Sequence, residues 1–187
     1  MTGLFDRRRR AAAERKAAGA LYVMAVARAR DPVFYRRYAV PDSLDGRFDM
    51  IALHVFLILH RLKQEGEPAK AMAQMLFDAM FADMDASLRE LGVGDLAVGR
   101  RVKKMAQALY GRIAAYQGAL KSADDGEMAD ALRRNLYGGA APAPAVVEGV
   151  AAYARAQAEH LAEIGFPEMA AGGPIFAPVE ATAGTVK

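Results

Sequence analysis

Hydrophobic positions recur along this chain at spacings of three and four. No segment sustains a strict polar–apolar alternation, so the pattern predicts helices and no sheet. The cleanest stripe runs through Val98, Val102, Met105, Leu109, Ile113, Tyr116 and Leu120. At roughly 100° per residue these fall within an arc of about 80°, with Arg100, Lys103, Lys104 and Gln107 opposite. The helix before it has a wider apolar arc, about 200°, made by Met72, Leu76, Phe77, Ala79, Met80, Phe81, Met84 and Leu88. Gly92 suits the end of that helix and Asp95 the start of the next. Phe48–Leu62 is apolar in every direction, as a central or covered helix would be. Asp42 or Ser43 can cap it and Gly66 can end it.

The remaining elements follow from caps and breakers. Residues 4–30, rich in Ala and Arg, read as a helix. Asp31-Pro32 opens a short segment that Pro41 ends. Asp124, Asp125, Gly126 and Glu127 resemble a capping box before a helix stopped by Gly138-Gly139. A Pro/Ala linker leads to a helix over 146–164, stopped by Gly165 and Pro167. The expectation is an all-α fold, a single bundle of six to seven helices. Residues 1–30 form a basic, partly flexible N-terminal helix, 31–165 the helical domain, and 166–187 a disordered tail.

Composition changes this picture in three places. At 187 residues and 53% hydrophobic content, one real core is expected. With no cysteine, thiolate metal sites, disulfides and cysteine nucleophiles are excluded. The longest apolar run, ten residues from Met50 to Leu59, is too short to span a bilayer, and no secretory signal is visible. The net charge of +3 is uneven, since residues 1–40 hold ten Lys and Arg against three acids. Arg7, Arg8, Arg9, Arg10, Arg15 and Lys16 form a cationic patch suited to an anionic surface, either lipid headgroups or RNA.

Candidate chemistry is sparse. Ser43, Ser87 and Ser122 lie in no nucleophile elbow, and no phosphate-binding glycine loop follows a strand. His54 and His60 point about 120° apart and cannot share a metal from one regular helix. His54 reads as a buried, hydrogen-bonded imidazole. Asp78, Asp83 and Asp85 do not complete a cation shell on one helix, and no Glu-x-x-His pair supports a di-iron bundle. The sequence therefore predicts neither an enzyme nor a cofactor, and no specific DNA binding.

Two features suggest recognition instead. Asp83 falls inside the apolar arc of its helix and needs a partner, for which Arg100 or Arg101 across the turn is the nearest positive charge. Ten methionines is a high count, and four of them lie within thirteen residues. Methionine's flexible thioether suits an adaptable apolar groove, so Met72, Met75, Phe77, Met80, Phe81 and Met84 are the candidate client-binding residues.

The segments FYRRYAVPDSLDGRFDMIALHVFLILHRL and MLFDAMFADMDASLRELGVGDLAVGRRVKKMAQALYGRIAAYQGAL resemble the ubiquinol–cytochrome c reductase assembly chaperones. The resemblance covers about Phe34 to Leu120 well and the flanking helices loosely. It implies an all-helical, non-catalytic chaperone that handles newly made cytochrome b. A small partner protein or the ribosome is a further implied contact. It also implies a shared family face containing Tyr35, Tyr38, Asp45, Arg47, Asp78, Asp83 and Asp85. The absence of a long presequence points to a bacterial protein, acting in the cytoplasm at the inner-membrane face. Two other classes stay open: a peripheral membrane or RNA adaptor working through residues 1–30, and a small enzyme with an unrecognised carboxylate site.

Overall fold

A computed structural model describes residues 2–124 and 126–179. Among them are eight α-helices and no strand: α1 Thr2–Ala29, α2 Pro32–Arg36, α3 Leu44–Gln64, α4 Glu67–Glu90, α5 Asp95–Lys121, α6 Gly126–Asn135, α7 Pro144–Glu163 and α8 Phe166–Ala171. The helical bundle is as expected, with α8 in addition.

Helix α3 is the centre, as its all-round apolar pattern required. From Met50 to Ile58 every residue is buried, and α1, α4, α5 and α7 pack around it. Its entry is fixed by chemistry the sequence announced. The Ser43 side chain accepts from the Gly46 backbone N–H at 3.1 Å, which satisfies one of the free donors of the first turn. Gly46 is needed there for space, because a Cβ would sit 2.0 Å from the Pro41 carbonyl oxygen.

Helices α1 and α4 form the most extensive pair, joined by a hydrogen bond between Tyr22 and Asp83. Helix α5 returns antiparallel to α4 through a turn in which Gly92 takes the left-handed conformation (φ 77°). A glycine has no Cβ penalty in that region.

The expected tail, 166–187, divides in two. Residues 180–187 lie outside the described residues. Residues 166–179 are packed, which corrects the expectation of disorder there. Helix α8 buries Met169, and the strap behind it buries Ile175 and Val179. Glycine and proline richness concealed three apolar anchors. The strap is also held by polar bonds. Gln157 on α7 donates to the Ala177 carbonyl at 2.9 Å and accepts from the Ala177 N–H at 3.2 Å. Arg28 on α1 donates to the Phe176 carbonyl at 3.2 Å.

Candidate functional site

The methionine arc does not form an open groove. Met72 and Met80 are 2% and 0% exposed, and Met84 is 7% exposed. All three belong to the core. The 200° arc predicted from the sequence is wide because α4 packs against three helices, α1, α3 and α5. A helix covered on several sides needs apolar residues on several sides. Met75, Phe77 and Phe81 are half-buried and pack against the core edge.

Phe77 leads to an open cleft. A cavity of about 300 Å³ opens between α3, α4 and α5, lined by Phe56, Leu59, His60, Ala73, Phe77, Tyr110 and Ile113, with Lys63, Lys70, Gln74 and Gln117 at the edge. Its walls are aromatic. Phe77 stacks on Tyr110 at 5.4 Å between centroids and meets Phe81 at 5.7 Å. His60 tilts against Phe56 at 5.7 Å, and its buried Nδ1 makes no hydrogen bond among the described residues. Burial, with Lys63 and Lys121 nearby, lowers the His60 pKa from its ordinary value. The imidazole therefore sits neutral in the wall at neutral pH. An apolar cavity with aromatic walls and a few polar rim groups suits an inserted side chain better than a reaction.

The expected family face gathers only in part: Tyr35 and Arg47 lie close enough to interact electrostatically, while Tyr38 is buried. Tyr35 donates from its hydroxyl to the Ala29 carbonyl at 2.8 Å. Asp45 and Arg47 are exposed, and Arg47 pairs with Asp42 at 2.6 Å. On α4, Asp78 accepts from Gln74 at 2.8 Å and Asp85 pairs with Arg89 at 2.6 Å. The predicted ion pair is absent: Asp83 accepts from the Tyr22 hydroxyl at 2.6 Å. Arg100 and Arg101 are exposed on α5. The α1–α4 packing presents a tyrosine to Asp83, which chain proximity to Arg100 could not foretell.

The described residues hold no group of three His, Cys, Asp or Glu side chains arranged to take a metal. Comparison with known proteins then decides the family. The ubiquinol-cytochrome C chaperone family is matched over residues 36–176. The chain belongs to that family. It is similar to ubiquinol-cytochrome-c reductase complex assembly factor 1 of Xenopus laevis, 29% identical over 75% of this chain and 70% of the relative. The mouse and human proteins of that name are each 28% identical over 75% of this chain. This chain spans only about half of their length, 48% and 47%. The crystal structure of the Cbp3 homolog from Brucella abortus is similar over the whole fold, with a TM-score of 0.83 and 38% identity. That similarity covers 96% of this chain and 98% of that one. The Xenopus, mouse and human relatives are named as assembly factors of the ubiquinol-cytochrome c reductase complex.

Several organising residues of the chaperone escaped sequence reading. Asp49 on α3 and Arg112 on α5 form a largely buried pair at 2.5 Å, and Arg112 also covers the Phe48 ring. Burial, opposed by Arg112, pushes the Asp49 carboxyl up to about 7. Arg61 is buried and caps α7 from α3, donating to the Leu161 and Ile164 carbonyls at 3.0 and 2.8 Å. Sequence signals existed, since both charges interrupt the apolar α3, but apart from Glu65, which pairs with Arg61 at 2.6 Å, their partners lie far along the chain.

His54 is as the sequence suggested. Its Nδ1 meets the Met50 carbonyl at 2.8 Å and its Nε2 the Tyr153 hydroxyl at 2.8 Å. The carbonyl can only accept, so Nδ1 carries the proton and Tyr153 donates to Nε2. Of the N-terminal cations, Arg8, Arg9, Arg15 and Lys16 are exposed. The side chains of Arg7 and Arg10 lie outside the described residues.

Proposed function

We propose that this chain holds newly made cytochrome b during assembly of the ubiquinol–cytochrome c reductase complex, using the α3–α4–α5 cleft. The observation that carries the reading is the open, aromatic cavity at Phe77 and Tyr110. Such a cavity accepts a bulky side chain from an apolar helix without any bond being made or broken. Family membership supports the client class, because the relatives are named for assembly of that complex. The buried methionines contribute shape and not contact. Lys63 at the rim favours a client segment with an acidic flank. The reading invokes no cofactor. It locates the work at the cytoplasmic face of a bacterial inner membrane, with a small partner protein or the ribosome as a further contact.

The test is site-specific photo-crosslinking during cytochrome b synthesis. A photoreactive residue replacing Ala73, Phe77 or Tyr110 should capture cytochrome b. The same residue at Ala152, on the exposed side of α7, should not. Capture from Ala152 alone, or normal accumulation of cytochrome b after deletion of the chaperone, would overturn the reading.

A further inference from the structure

One outward face of α5 combines exposed apolar side chains with an unopposed row of cations. At roughly 100° per residue, Leu96, Arg100, Lys103, Gln107 and Tyr110 lie within about 40° of a single line along the helix. All five are exposed. Leu96 is 88% and Tyr110 62% exposed, among the most open large apolar residues described. Leu91, in the turn just before α5, is 62% exposed. From Leu96 to Lys121 the sequence contains no acidic residue. Asp95, at the start of the helix, is engaged by Arg89, and among the described residues no ion pair involves Arg100, Lys103 or Lys104.

We propose that this face of α5 is a docking surface for an anionic lipid bilayer. Helix α5 would lie along the interface, with Leu91 and Leu96 entering the headgroup boundary at one end and Tyr110 at the other. Leu96 and Tyr110 are about 21 Å apart at 1.5 Å per residue. Arg100 and Lys103, flanked by Lys104, meet the phosphates between them. The combination selects lipid over RNA. A phosphate backbone alone needs only the cations, while an interface uses the exposed leucines and the amphipathic tyrosine as well. The same face distinguishes α5 from α1, whose described N-terminal cations Arg8, Arg9, Arg15 and Lys16 have exposed alanines between them. Tyr110 belongs to both this face and the rim of the cleft, so a bilayer docked here lies beside the cavity. The proposal does not depend on the identity of the client.

Vesicle flotation of the full chain tests it, using phosphatidylcholine vesicles with and without phosphatidylglycerol. The protein should float only with the anionic vesicles, and added salt should release it. Each cation at an anionic surface contributes about fivefold in partitioning. Arg100→Glu with Lys103→Glu should therefore weaken flotation far more than tenfold, and Leu96→Ser should weaken it several-fold. Arg133→Glu with Arg134→Glu, on exposed positions of α6, alters net charge equally and should leave most of the binding intact. These positions are all solvent-facing, so unchanged thermal melting confirms folding of each variant. The proposal fails if the wild type does not float with anionic vesicles. It also fails if the α5 reversal floats normally, or if the α6 reversal costs as much. Loss of retention on single-stranded RNA by the α5 reversal, with flotation unaltered, would assign the surface to RNA instead.

Discussion

The Tyr22 hydroxyl donates to Asp83 Oδ2 at 2.6 Å, joining α1 to α4. Burial first, and the Asp83 carboxylate second, raise the Tyr22 pKa, so the hydroxyl keeps its proton and remains a donor. Asp83→Ala leaves that half-buried hydroxyl without its acceptor. A hydrogen bond to a charged group is worth about 1.5–3 kcal/mol, so Asp83→Ala should lower stability by roughly that amount in urea unfolding. Asp85→Ala breaks an exposed, solvent-screened pair with Arg89 and should cost much less. Arg100→Ala should be neutral, and a loss matching that of Asp83→Ala would restore the ion pair expected from the sequence.

The methionines give an equally direct test of core against surface. Met80 is fully buried between helices. Met80→Leu preserves volume and should cost less than about 1.5 kcal/mol, with client capture unchanged. Met80→Asp places an unpaired charge in the core and should prevent folding. A stable, folded Met80→Asp that fails only in client capture would revive the methionine groove.

Local rules carried most of the fold. Ser43 and Gly92 mark helix ends by their own chemistry, and the α5 stripe points inward because periodicity alone fixes a helix face. Partnership was not legible. Periodicity says that Met80 faces something apolar, but not whether that is a client or the protein's own core. Asp83 needed a partner, and the sequence offered only its near neighbours, while Tyr22 lies 61 positions away. The strap was hidden for a related reason: Ile175 and Val179 anchor by tertiary contact in a segment with no period. The cleft depends on Phe77 and Tyr110, on two helices whose relative rotation no local pattern states.

Acid should loosen the bundle through His54. Burial lowers its pKa to about 4, against roughly 6.5 for the unfolded chain. The unfolded state therefore binds the extra proton first. The stability due to a neutral His54 is present above about 6.5 and is lost as pH falls through the window toward 4. Melting temperature should drop across that interval. Asp49 acts oppositely: its carboxyl is raised to about 7, so its contribution weakens as pH rises from roughly 4 toward 7. Asp49→Asn removes this opposition and should steepen the acid loss. A flat profile in that variant would contradict the buried neutral imidazole.

The Asp49–Arg112 pair should look costly when halved and cheap when removed whole. Asp49 is 11% and Arg112 17% exposed at the side chain, so water screens neither charge well. Above about pH 7, where Asp49 is ionised, Arg112→Met should destabilise by about 3 kcal/mol, because the buried carboxyl loses its cation and must take up a proton. Asp49→Leu with Arg112→Met should recover most of that loss in a double-mutant cycle. Additive losses would mean that the cation's contacts to Phe48 and to the Asn135 carbonyl, and not the charge pair, dominate.

The strap behind α8 supports the core from the far side of α3. Phe176 meets the buried His54 edge-on at 5.3 Å, and His54 also touches Phe34 and Tyr153. Loss of the strap would therefore open a path for water to the His54 imidazole. Ile175→Ala deletes fully buried methyl groups and should cost about 2–4 kcal/mol. Gln157→Leu removes both bonds to Ala177 and should cost about 1–3 kcal/mol by leaving that backbone unpaired. The signature beyond stability is electrostatic: freeing the strap hydrates His54 and raises its pKa toward the ordinary value. NMR titration of the His54 ring in Gln157→Leu should show that rise. A stable variant whose His54 still titrates near 4 would mean that α2 and α7 alone seal the imidazole, and that the strap serves only as a clamp.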